Sequence, residues 1–399
     1  MKKKKQLPEL QGPGLSRSVR RRFTKFCLTH GHARDIPRGK VAEKEKPISR
    51  MKLAVVTTSW YAQHEVWQPN TQTPRAILTG VDVFEYRAWL DQFTPSYAGK
   101  KMRHSVSIKL MPNTTWETLQ TAWDIGVRTV KIYPAGVTHS KEGWSSFMKD
   151  MYQPIQWALE IGFIVCIHGE EPGDHIDTYA RENYFVGRRF KRLVYKDFPG
   201  GRFNLEHISC ERTIDIVGEM PANVTGGLAI QHAVITRNDL LEWKTSDGRT
   251  GLNPVCHFRP PAQQMRDMLA VRSVMFNAHT PAYRKFHKGP DSAPHKEEDK
   301  LCICGCPGAF VSPTLGPLTV DLYDRHGKLD SPAFYAFTVE NGAQAFGIEV
   351  DPEDTFELVK EDWIVPASYG NVLAFFGGRK LGWRPVEPAA LNPELLLLN

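Results

Sequence analysis

The chain has no uninterrupted apolar run approaching the roughly 20 residues that cross a bilayer; its longest lies near residues 161–167. A membrane-spanning helix is thereby excluded, and the protein is expected to be soluble. The N-terminal stretch also lacks the apolar segment of a secretory signal. Cysteine is sparse and odd in number: seven (27, 166, 210, 256, 302, 304 and 306) in 399 residues. That is the pattern of a reducing compartment, not of a disulfide scaffold. No internal repeat is present. Acidic residues are missing at one end only. Residues 1–26 carry nine basic side chains against Glu9, net +8, so residues 27–399 sum to −1 and the formal +7 of the whole chain belongs to this tail. Nucleic acid is therefore not an expected partner, except through the basic tail. The tail reads as a solvated extension, with a cytoplasmic location. Its Arg and Ser content and lone acid give mitochondrial or other organelle targeting as the alternative, against which stand Pro8, Pro13 and the Lys2–Lys5 run.

What is present is globular. Hydrophobic residues make up 41%, and α/β barrels of about 250 residues and more fold as one unit. Short β-branched or apolar runs at 23–30, 53–57, 106–110, 129–133, 163–168, 203–207, 227–232 and 283–287 read as eight strands. Between them lie helical patterns. Over 144–161, Phe147, Met151, Ile155 and Leu159 recur every fourth position, and 262–275 and 332–345 look similar. Strands alternating with helices predict βαβ units and a parallel sheet; eight of them predict a (β/α)8 TIM barrel. The expected organisation is a basic N-terminal extension over 1–22, a barrel over 23–375 with a Lys-, Glu- and Pro-rich insertion at about 36–50, and a C-terminal tail over 376–399.

Side chains able to hold a metal recur at the carboxyl ends of these strands. His30 and His32 form a His-x-His pair, and alternation along a strand puts both on one side. Lys131 lies in the fourth strand, His168 closes the fifth, His207 closes the sixth, and Asp291 follows the eighth. In a barrel the carboxyl ends of all strands open on one mouth, so residues scattered from 30 to 291 would share one site. Four neutral imidazoles and a carboxylate suit zinc or a similar ion, and a lysine carbamate formed with CO₂ would bridge two ions. The run Cys302-Ile303-Cys304-Gly305-Cys306 lacks the usual structural-zinc spacing and reads as a loop holding reduced thiols.

The strings His30-Gly31-His32-Ala33-Arg34-Asp35, Lys131-Ile132-Tyr133-Pro134-Ala135, His168-Gly169-Glu170, Glu206-His207-Ile208, Asp291-Ser292-Ala293-Pro294-His295 and Cys304-Gly305-Cys306-Pro307-Gly308 resemble, in order, the motifs of the dihydroorotase family. The match is to its shorter bacterial-type class within the amidohydrolase superfamily, and it runs from about residue 23 to about residue 350. The resemblance implies a binuclear zinc site. His30 and His32 would hold one ion and His168 and His207 the other, with carboxylated Lys131 bridging and Asp291 completing the first. Such ions lower the pKa of bound water and polarise an amide carbonyl. Asp291 would be the base that passes a proton to the leaving nitrogen. The implied reaction interconverts carbamoyl aspartate and dihydroorotate in pyrimidine biosynthesis. Arg34, Asn70 and His295 match the family's binders of the substrate carboxylate, and a homodimer is implied.

Three positions depart from the family's pattern. Pro307 stands where the family offers a backbone N–H to the substrate, and proline has none. The loop after the lysine strand reads Thr138-His139 in place of paired threonines, and the 36–50 insertion enters beside Arg34. Two other readings are therefore carried forward: hydrolysis of a different cyclic amide, and a catalytically silent barrel serving as a binding or scaffold subunit.

Overall fold

In a computed structural model, the structure describes residues 19–34, 50–68, 76–137, 147–244, 248–303 and 305–386. Eight barrel strands are found, labelled here in chain order: β1 Phe26–Gly31, β2 Ala62–Trp67, β3 in two pieces (Arg103–Val106 and Ile108–Lys109), β4 Thr129–Ile132, β5 Ile164–Ile167, β6 Phe203–Leu205, β7 Val224–Leu228 and β8 Phe286–Lys288. All their pairings are parallel. β1, β2 and the first piece of β3 form one run; the second piece of β3 continues through β4, β5, β6, β7 and β8. Two links join these runs into a ring. Ser107, between the pieces of β3, donates its N–H to Trp67 O at 3.0 Å. Beyond β8, Asp291 N–H reaches His30 O and His32 N–H reaches Ser292 O, both at 2.9 Å. The expected (β/α)8 barrel is the fold.

One expected strand is a helix. Residues 53–57 lie inside the helix Arg50–Ser59, and the strand expected there is β2, which begins five residues past Thr57. The reading followed the β-branched run Val55-Val56-Thr57, but eight of the ten helical residues are buried, and packing overrides a propensity worth tenths of a kcal/mol. The hydroxyls are absorbed helically: Thr57 Oγ1 donates to Leu53 O at 2.7 Å and Ser59 Oγ to Val56 O at 2.6 Å. β2 escaped notice because Gln63, His64 and Glu65 look polar, yet all three are buried. The strand expected at 227–232 begins earlier, at Val224, and Ile230–Val234 is helical. The helices expected at 144–161, 262–275 and 332–345 appear as Phe147–Ile161, Met265–Phe276 and the run from Pro332 to Phe346, which contains a π-helical segment.

A second, antiparallel sheet joins Arg20–Thr24, Thr355–Ile364 and Lys380–Pro385, with Thr355–Ile364 in the middle. Phe23 seals it, its ring 5.6 Å from Phe356, 5.7 Å from Phe334 and 5.9 Å from Trp383. This sheet draws Arg20–Arg22 of the expected extension and residues 376–385 of the expected tail into the folded body. The insertion at 36–49, Asn70 and His139 lie outside the described residues. Among the described residues no helix is long and apolar enough to cross a membrane.

Candidate metal centre

The six metal-ligand candidates all sit at the carboxyl ends of barrel strands. His30 is in β1 and His32 just past it; Lys131 is in β4; His168 follows β5, His207 follows β6 and Asp291 follows β8. Every one is buried. His30 Nε2 and His32 Nε2 are 3.3 Å apart, and Asp291 Oδ1 lies 3.5 and 3.1 Å from them. The donor atoms of these three residues fall within 4.8 Å of one another, close enough to face one ion. The imidazoles continue as a chain: the His30 ring centroid is 5.3 Å from that of His207, which is 4.5 Å from that of His168.

Neighbouring acceptors fix how the rings present their nitrogens. A carbonyl only accepts, so Gln68 O, 3.2 Å from His32 Nδ1, draws the proton there and leaves the Nε2 lone pair toward Asp291 and His30. Glu170 Oε2 lies 2.6 Å from His168 Nε2, which turns Nδ1 into the available ligand atom. Glu206 Oε2 is 3.0 Å from His30 Nδ1, out of line for a straight hydrogen bond. His207 Nδ1 is buried with no hydrogen-bond partner. Sequence reasoning quoted Glu170 and Glu206 in motifs but gave them no role, and it missed Gln68. The available signal was adjacency: each Glu stands within two residues of a histidine at a strand end.

Lys131 is fully buried, and its Nζ has no hydrogen bond; the nearest carboxylate oxygen, Glu206 Oε1, is 4.0 Å away. Burial lowers its pKa, with the Glu206 charge opposing, so the neutral amine is favoured relative to an ordinary lysine. Burial alone would raise the Glu206 carboxyl, but Lys131 and His30 outweigh it and hold it at about 2. Asp291 is likewise pulled well below the usual carboxylate range, burial being overcome by His30 and His32. Burial brings His32 down to about 4 and puts His207 well below an ordinary histidine. His32 and His207 are thereby held in the neutral form, which is the form that binds metal.

Backbone strain concentrates here. Five non-glycine residues have positive φ among the described residues, and three of them are Arg34 (70°), His207 (38°) and Asp291 (48°). Such conformations cost of order 1–3 kcal/mol each and persist where surrounding structure over-determines them, as at functional sites.

Of the expected carboxylate binders, two meet. Arg34 Nη2 is 3.0 Å from His295 Nε2, and both side chains are buried. Pro307, which has no N–H to give, presents its carbonyl instead: Pro307 O lies 2.9 Å from the same His295 Nε2. Cys302 is disulfide-bonded, contrary to the expectation of reduced thiols, while Cys306 is in no disulfide and Cys304 lies outside the described residues.

No protein-family model matches the chain. It is similar to the dihydroorotase of Neisseria meningitidis serogroup C, 30% identical over 342 residues that span 84% of this chain and 93% of that protein. Among solved structures it resembles dihydroorotase from Saccharomyces cerevisiae in complex with 5-fluoroorotic acid, with a TM-score of 0.74 at 22% identity, covering 91% of this chain and 97% of that one. It also resembles the L-hydantoinase of Arthrobacter aurescens, with a TM-score of 0.72 at 15% identity over 92% of this chain and 83% of that one. At these identities the two structural likenesses speak for the fold.

Proposed function

The chain belongs to the dihydroorotase family, and on that premise we propose that it is a metal-dependent cyclic amide hydrolase that interconverts dihydroorotate and carbamoyl aspartate in pyrimidine biosynthesis. One observation carries this reading. Five ligand-type side chains from four separate strands meet at one barrel mouth around a fully buried lysine, on a fifth strand, whose amine has no hydrogen-bond partner.

The residues present fit the metals the family implies. His30, His32 and Asp291 would hold one ion, and His168 and His207 the other. The lone amine of Lys131 is suited to add CO₂, losing one proton and gaining a carbamate whose two oxygens would bridge the pair. We propose zinc as the ion, since neutral imidazoles with carboxylate oxygens suit it. Two divalent cations, when bound, supply Lewis-acid polarisation of the amide carbonyl and a water of lowered pKa.

The chain's own residues do the rest. Arg34 presents a two-pronged guanidinium to the substrate carboxylate, with His295 beside it. Asp291, held ionised by His30 and His32, is a proton acceptor ready at neutral pH and delivers that proton to the ring nitrogen as the amide opens. Gln68 and Glu170 keep the His32 and His168 rings in the tautomers that leave a lone pair inward. Asn70 belongs to the carboxylate pocket by its motif. The proposal extends to a homodimer and to a cytoplasmic location.

The deciding experiment is turnover. Protein purified without chelator and loaded with zinc and bicarbonate should carry about two divalent ions per chain and hydrolyse dihydroorotate, as the ligand set requires. Asp291→Asn should fold normally and lose nearly all activity, because an amide cannot take the proton. A metal content near zero after loading, or two bound metals without dihydroorotate turnover, would overturn the reading.

A further inference from the structure

Lys300 is a buried lysine outside the metal centre. It belongs to the short helix Glu297–Leu301 and is 3% exposed. No carboxylate pairs with it among the described residues. Its Nζ instead donates to three backbone carbonyls: His257 O at 2.9 Å, Cys306 O at 2.9 Å and Gly308 O at 2.8 Å. These partners come from two segments, the loop around His257 and the turn at 305–308. The segments are also joined directly, by Gly308 N–H on His257 O at 3.0 Å and by His257 Nδ1 on Gly305 O at 2.5 Å.

The turn's geometry makes this clasp consequential. Carbonyls 306 and 308 both point at Lys300, and the carbonyl between them, Pro307 O, points the other way, to His295 Nε2 at 2.9 Å. Gly308 makes the turn possible: its φ is +146°, and a Cβ there would sit 2.7 Å from His295 Nε2. His295 Nε2 also lies 3.0 Å from Arg34 Nη2. One ring nitrogen cannot serve both a carbonyl, which only accepts, and a guanidinium, which only donates. A carbonyl fixed in place by its two flanking neighbours selects the tautomer with the proton on Nε2. An anion beside Arg34 needs a donor from His295, and that tautomer carries one: the Nε2–H that Pro307 O holds passes to the anion, the stronger acceptor, when it binds.

We infer that Lys300 is a positioning residue of the substrate-carboxylate pocket: by gathering the carbonyls of His257, Cys306 and Gly308 it aims the Pro307 carbonyl at His295 and thereby sets that imidazole as a donor beside Arg34. The inference rests on the proposed role of Arg34 and His295 as carboxylate binders. It also gives Pro307 a function that the missing N–H alone does not suggest.

The test is a double-mutant cycle on the metal-loaded enzyme. Lys300→Met should raise KM for dihydroorotate at least tenfold, with kcat within about threefold and metal content unchanged. In a His295→Ala background the same change should move KM less than twofold. A purely structural lysine would lower thermal stability and leave KM alone, so an unchanged KM, or an equal rise in both backgrounds, overturns the inference. Imidazole ¹⁵N spectra of the wild type, assigned by the signals lost in His295→Gln, give a second readout that needs neither substrate nor a folded Lys300 variant. His295 should be neutral with its proton on Nε2; a proton on Nδ1, or a charged ring, overturns the inference. Absence of dihydroorotate turnover by the wild type would sink the functional reading, while the spectra would still test whether Pro307 O sets the His295 tautomer, on which the inference stands.

Discussion

Removing the Arg34 guanidinium in two ways separates its chemistry from its backbone. Arg34 is buried at the mouth with φ of 70°, a conformation that an L side chain adopts at a cost and glycine adopts freely. In Arg34→Ala the Cβ stays and the charge goes; in Arg34→Gly both go. Loss of a bidentate, charge-assisted grip on the substrate carboxylate should cost about 2–4 kcal/mol of transition-state binding, a fall in kcat/KM of roughly 30- to 1,000-fold carried largely by KM. Both variants should fall alike. Stability should tell them apart: relief of left-handed strain is worth about 1–2 kcal/mol, and glycine's extra unfolded-state entropy takes back about half of that. Arg34→Gly should therefore be more stable than Arg34→Ala by about 0.5–1 kcal/mol. Steady-state kinetics with dihydroorotate and urea unfolding at neutral pH measure the two effects. Retention of kcat/KM within threefold in Arg34→Ala would remove Arg34 from the substrate pocket. An Arg34→Gly variant no more stable than Arg34→Ala would show that the backbone is not strained there.

Two further predictions use the lysines. Lys131→Ala should lose much of its bound metal and nearly all activity, and a small carboxylic acid in solution should restore part of both; full metal content and activity would leave Lys131 an ordinary barrel lysine. Lys288, fully buried at the end of β8 with Thr319 Oγ1 at 2.7 Å as its only hydrogen-bond partner among the described residues and the faces of Phe26 and Phe337 beside it, is pushed down to about 7 by burial. Unfolded, it keeps its proton to a pH near the ordinary 10.5, so the folded state binds fewer protons above pH 7 and stability rises with pH. The slope approaches about 1.4 kcal/mol per pH unit, which integrates to about 1.5 kcal/mol between pH 7.0 and 8.5. Urea unfolding should show the wild type gaining that much more than Lys288→Met over this interval. Equal gains would mean that the aromatic faces keep the ammonium charged despite burial.

The metal candidates were legible because each depends on a strand end, and most of the strands carrying them are apolar runs bounded by recognisable turns. β4, β5 and β6 appear within a residue or two of where the pattern places them, and His168 and His207 come with them. β2 was illegible because its signal is inverted: Gln63, His64 and Glu65 are buried polar residues, while Val55, Val56 and Thr57 look like a strand and pack as a helix. No spacing rule announced Gln68 or Lys300 either. Their roles run through backbone carbonyls, Gln68 offering one and Lys300 gathering three, and only the folded chain brings those atoms together. Pro307 shows the same limit from the other side. As a letter it marks a lost donor, but in the fold it is an acceptor aimed at His295.

The satellite sheet has a consequence for the connectivity of the chain. Arg20 and Arg384 both stand opposite Val359, one on each side of the central strand. With strands spaced about 4.8 Å apart, the points where the polypeptide enters and leaves the described fold are only about 10 Å from each other. A short linker would close the chain into a circle there, and a new start opened in an exposed helix–strand connection far from the mouth would leave every barrel pairing intact. Clipping the chain beyond either point acts differently. Loss of Arg20–Thr24 or of Lys380–Pro385 would bare one side of Thr355–Ile364, a ten-residue strand, and hand its unpaired N–H and C=O groups to any neighbouring chain as a template for aggregation.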